Sequence, residues 1–215
     1  MTLSDMVEKL GLELTIEIVT KTNLAAGYEE WIAAANFELV NKTAKIWDKH
    51  QFACLFAKAM LTTAKTVPDL VQALRTFDRL VSPQRHWAAQ VDPLYKALDQ
   101  PMSEWAQCKE VLVLLTDERL VIDPSCPMKV YLMRRVGVWA LELATSFEDY
   151  AYLAALEHDR AELSHVSSAA FEKMRSMAST IEHRVRLLEE ARKRRSRFAD
   201  QIYQEIADAV LASRS

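Results

Sequence analysis

Three glycines in 215 residues leave this chain very few places where the backbone can turn left-handed without cost. Sandwiches, barrels and nucleotide-binding α/β folds all need many such turns, so the scarcity argues against each of them. Helices joined by proline corners and polar caps are the alternative, and all six prolines fall between Thr66 and Pro127. Half of the residues are hydrophobic, which suffices for a real core and argues against intrinsic disorder. The cysteines Cys54, Cys108 and Cys126 lie far apart with no Cys-x-x-Cys pair, against a disulfide scaffold or a cysteine zinc finger. A net charge of −3 offers nucleic acid no global attraction.

Along the chain, Asp5 with Glu8 resembles a capping box opening a short helix, and Gly11 is placed to end it. Leu12 to Ile18 then alternates with period two, a strand signal that stands beside the helical reading. From Tyr28 to about Lys65, apolar residues including Ile32, Ala35, Leu39, Ile46, Ala53, Phe56 and Met60 recur at helical spacings, with a break at Asn41-Lys42-Thr43. Ser82-Pro83 and Asp92-Pro93 read as N-caps followed by first-turn prolines of short helices. Residues 111–122 fit a β-hairpin, but one helix ending near Leu115 and an extended connection is the preferred reading. Met128 to Thr145 reads as a buried helix, and Ser146 with Asp149 as a second capping box.

The clearest pattern lies at the end. Phe171, Met174, Ala178, Ile181, Val185 and Leu188 alternate spacings of three and four, and Ala199, Ile202 and Ile206 resume in register. The pattern predicts one helix of more than forty residues, roughly 60 Å long. Such a helix must dimerise, dock on a partner, or fold back after a break near Arg192–Arg197. Charge changes at the same boundary: residues 168–215 hold 10 basic and 7 acidic groups, net +3, whereas residues 1–167 hold 17 and 23, net −6. The basic run Arg192, Lys193, Arg194, Arg195 and Arg197 concentrates that asymmetry and suits phosphates or an acidic protein surface.

The densest polar cluster is Glu157-His158-Asp159-Arg160, followed by Glu162 and His165. On a continuous helix His158, Glu162 and His165 would share one face, a spacing able to bind zinc, iron or manganese. Glu162-x-x-His165 is half of a di-iron carboxylate motif, and the chain has no second copy. Leu153 to Asp159 locally resembles the helix carrying the His-Asp doublet of HD-family phosphohydrolases, which implies metal-activated water attacking a phosphoester. No histidine lies between His86 and His158, where that family's preceding ligand is expected. Arg160 to His165, and Arg79 with His86, have spacings similar to the Arg–His pair of HEPN ribonucleases, which implies RNA cleavage across a dimer. Cys54 reads as a small buried thiol, and Trp31, Trp47, Trp87, Trp105 and Trp139 as core anchors.

These features predict an all-α chain: a bundle of short and medium helices over 1–166, then a long coiled-coil-like amphipathic helix over 167–215, with minor β elements near 12–18 and 111–122 as the variant. A non-catalytic assembly or adaptor subunit is favoured over an enzyme, with no cofactor. Its interaction seam would be Phe171, Met174, Ile181, Val185, Leu188, Ile202 and Ile206, engaging a second copy or a larger protein complex. The alternatives are a metal-dependent phosphohydrolase or ribonuclease centred on residues 157–165, and a nucleic-acid-binding subunit using the basic run 192–197. The first residues lack the basic and apolar regions of a secretory signal. Tyr131 to Phe147 contains Arg134, Arg135 and Glu142 and is too short to span a bilayer. A cytoplasmic protein without membrane contact is therefore expected.

Overall fold

Thr2 opens the first helix by reciprocal capping: its hydroxyl accepts from the Asp5 amide at 3.1 Å, while its own amide donates to the Asp5 carboxylate at 2.8 Å. In the computed structural model, residues 1–42, 44–81, 88–117, 127–156, 161–196 and 198–212 are described. Eleven α-helices and no strand occur among these residues. The helices are α1 (Leu3–Thr22), α2 (Tyr28–Asn41), α3 (Ile46–Thr63), α4 (Val67–Val81), α5 (Ala88–Ala97), α6 (Trp105–Thr116), α7 (Pro127–Leu143), α8 (Phe147–Ala155), α9 (Ser164–Met177), α10 (Ile181–Lys193) and α11 (Ala199–Ala212). No described helix is long and apolar enough to cross a membrane. The chain divides into two compact units, Met1–Pro101 with Glu110–Leu132, and Met102–Lys109 with Met133–Ser215.

In the first unit, the period-two segment is helical, not extended. Gly11, at φ 79° and ψ 166°, kinks α1 in a backbone region that essentially only glycine occupies. Beyond the kink the buried positions are Leu12, Thr15, Ile16 and Val19, a helical face, whereas Leu14 is exposed. The alternation misleads because a polar residue lies on the buried face. Thr15 is fully enclosed, with its hydroxyl donating to the Gly11 carbonyl at 2.8 Å. The core of this unit forms where α1 to α5 pack together, around Trp31, Phe52, Phe56, Met60, Leu74 and Phe77. Trp31 and Phe52 pack with ring centroids 5.6 Å apart.

The preferred helical reading of Val111 to Leu115 holds: they belong to α6, which ends at Thr116, with Cys108, Val111, Leu112 and Leu115 buried at helical spacing and Val113 exposed. The Arg119–Ile122 arm of the alternative hairpin lies outside the described residues. Pro93 stands inside α5 instead of in its first turn. Asn41 and Ile46 do bound a break between two helices, as the sequence suggests.

In the second unit, Ser146 caps α8 as predicted, its hydroxyl accepting from the Asp149 amide at 3.1 Å. α8 and α9 pack as a hairpin, and α10 packs on both. Gly137 of α7 permits a close approach: a Cβ there would lie 2.9 Å from Leu163 Cδ2 and 3.1 Å from Val166 Cγ2. The single long C-terminal helix is replaced by three helices, α9, α10 and α11. Thr180 restarts the chain as the N-cap of α10, accepting from the His183 amide at 3.1 Å. At the other end of α10, the Ser196 amide donates to the Ala191 carbonyl at 2.8 Å and the Arg195 amide to the Arg192 carbonyl at 3.0 Å. This is a Schellman stop, with Arg195 at φ 51° in the left-handed position that glycine usually fills. With arginine there, the sequence displays no stop signal, so the heptad pattern reads straight through the turn.

Candidate interaction surface

The hairpin formed by α10 and α11 ends the described chain, and Arg194 holds its root. Arg194, whose side chain is only 11% exposed, follows the last residue of α10. Its Nε lies 3.2 Å from the equally buried Glu190 carboxylate. Its guanidinium also donates to the Ala154 carbonyl and the Ser167 hydroxyl and stands 5.1 Å over the Phe171 ring. Ser167 itself is fully buried and donates to the Ala154 carbonyl at 2.6 Å. Arg194 therefore ties together the end of α8, the middle of α9 and the end of α10. A planar, always-charged fork with several donors suits that task better than an ammonium would.

α11 folds back along α10. The Arg184 guanidinium donates to the Glu205 carbonyl at 3.4 Å, which sets the antiparallel level of the two helices. Arg175 donates to Gln201 at 3.5 Å and stands 4.0 Å over the Phe198 ring, securing the turn to α9. Leu187, Leu188 and Ala191 of α10 and Ile202 of α11 are buried. Yet Ile202 is the only residue of α11 that reaches full burial. Tyr203 and Leu211 are exposed, and Ile206 and Val210 are half-buried. Tyr203, Ile206 and Val210 stand three and four residues apart and share a helix face. On α10, Ile181 and Val185, one turn apart, are also exposed.

The predicted seam is thus divided. Phe171, Met174, Leu188 and Ile202 are buried within the second unit and are not free for a partner, because the chain folds back on itself and uses them internally. Ile181, Val185 and part of Ile206 keep accessible surface. The basic run is divided too: Arg192, Lys193 and Arg195 are exposed, Arg194 is internal, and Arg197 lies outside the described residues.

The proposed metal face depended on one continuous helix from His158 to His165. A 3-10 turn, Ala161–Leu163, carries Glu162 instead, and His165 lies exposed in the first turn of α9. His158, Asp159 and Arg160 lie outside the described residues, as does His86. Among the described residues no three His, Cys, Asp or Glu side chains gather as metal ligands. Burial pushes the Cys54 thiol up and raises Cys108 to about 11, so neither favours the thiolate a nucleophile needs. Of the tryptophans, Trp31 is a core anchor, while Trp47 is 67% exposed and contradicts the core reading; Trp87 lies outside the described residues. No protein-family model, curated protein or solved structure matches this chain.

Proposed function

We propose that this chain is a non-catalytic assembly subunit that pairs with a second copy of itself through the α10–α11 hairpin. The observation that carries this reading is the apolar face of α11, where Tyr203, Ile206, Val210 and Leu211 keep accessible surface although the helix already packs on α10. Charge supports a second copy as the occupant. Ile181–Arg195 holds six basic and three acidic residues, net +3, and Ala199–Ala212 holds three acidic and no basic residues, net −3. A two-fold pairing sets α10 of one copy against α11 of the other, so both contacts bring opposite charges together.

The basic run favours nucleic acid less well, since Arg194 is spent on Glu190, Ala154 and Ser167. Light scattering of the purified chain across a concentration series tests the proposal. The expected result is a dimer, and the double variant Tyr203→Glu/Val210→Glu should return it to a monomer with its helicity unchanged. Neither side chain is buried, so folding survives the substitutions. A wild-type chain that stays monomeric at every concentration would sink the proposal.

A further inference from the structure

The corner between α2 and α3, in the first unit, turns apolar side chains outward. Val40, in the last turn of α2, is 76% exposed; Ile46 and Trp47, the first two residues of α3, are 60% and 67% exposed. The corner is held from within. Glu38, fully buried, accepts from the Ala44 amide at 3.2 Å and pairs with Lys49 Nζ at 3.2 Å. Its backbone carbonyl takes the Lys42 amide at 2.8 Å, with Lys42 in the left-handed position at φ 52°. A buried carboxylate thus secures a short connection whose outer surface is an exposed indole and two aliphatic side chains.

Residues 40 to 48 carry two lysines, Lys42 and Lys45, both exposed, and one carboxylate, the half-buried Asp48. Tryptophan, aliphatic side chains and lysines on an exposed corner match the composition of a membrane–water boundary. There the indole settles at headgroup level and lysines meet anionic phosphates. We infer that the α2–α3 corner is a peripheral docking site for an anionic lipid surface, with Trp47 and Ile46 entering the boundary layer and Lys42 and Lys45 pairing with headgroups. This site spans no bilayer and uses residues separate from the α10–α11 hairpin, so it stands or falls independently of self-pairing.

The test is co-sedimentation of the full chain with mixed phosphatidylcholine–phosphatidylserine vesicles and, in parallel, with pure phosphatidylcholine vesicles. The wild type should bind the anionic vesicles more strongly, with affinity falling as salt rises. Trp47→Ser should lower the partition by about tenfold or more, and circular dichroism should show it folded, because the indole is mostly in water already. Lys42→Gln and Lys45→Gln should each cost about fivefold on anionic vesicles and leave the phosphatidylcholine result unchanged. Absence of binding to anionic vesicles, or equal binding by Trp47→Ser, overturns the inference. So does a solution mass that drops in Trp47→Ser without vesicles, which would assign the corner to a contact between copies.

Discussion

Replacing Arg194 with methionine keeps most of the side-chain volume and removes the charge on which Glu190, Ala154, Ser167 and Phe171 converge. Breaking a buried ion pair at one partner costs about 3–5 kcal/mol, because the survivor stays charged and desolvated. Two features temper that figure here. Lys193 Nζ lies 3.7 Å from the Glu190 carboxylate and still offsets its charge, and the Ser167 hydroxyl keeps its bond to the Ala154 carbonyl. Loss of the cation–ring contact with Phe171 adds about 0.5–1 kcal/mol. The expected net loss for Arg194→Met is about 3 kcal/mol. Urea unfolding followed by circular dichroism should show the midpoint falling by about 1.5 M, for a slope of about 2 kcal/mol per molar. If the two units unfold in separate steps, only one step should move. Adding Glu190→Gln removes the stranded charge and should restore about 2 kcal/mol. A single variant that loses less than about 1 kcal/mol would place Arg194 among ordinary surface cations. A double variant no better than the single one would show that Glu190 is not the group left stranded.

Two further predictions concern other parts of the core. Gly137→Ala places a Cβ 2.9 Å from Leu163 Cδ2 and should cost about 1–3 kcal/mol of overpacking, partly offset by about 1 kcal/mol of helix propensity. A net loss is therefore expected in thermal unfolding, and a stabilised variant would mean that Leu163 rotates aside freely. His50, buried in α3, has its pKa lowered by desolvation. Below the unfolded-state value of about 6.5 the unfolded chain binds the proton more readily, so this contribution is present above that pH and lost as pH falls through the folded value. His50→Gln should flatten the decline in stability on acidification from neutral pH, and parallel wild-type and variant profiles would refute the assignment.

The local signals that survive folding are those whose physics is complete within a few residues. The Ser146–Asp149 box, the break after Asn41 and the apolar face of α6 all depend on neighbours within about one turn, and each is legible in the sequence. Where the buried residue was polar, the reading failed. Thr15 faces inward because it can bond the Gly11 carbonyl, so a helical face looked like strand alternation. Trp47 reads as a core anchor by residue type, yet the connection after Asn41, braced by the Glu38 carboxylate, leaves it and Ile46 outside.

The C-terminal segment shows the division most plainly. Glycine scarcity and helical periodicity determined that this protein is all-α, because backbone conformational preference and the side-chain period act residue by residue. They determined that residues 164–212 are helical almost throughout. They did not determine the path of those helices. A heptad row is equally satisfied by a second chain or by the chain's own neighbouring helices, and the same apolar burial stabilises either arrangement. Tertiary structure decided between them by placing arginine, not glycine, in a left-handed turn at Arg195, and by burying Arg194 against Glu190 and Ser167. Burial and hydrogen-bond partners, set by segments distant in sequence, separate a structural arginine from a surface one, and neither can be read from a run of basic residues.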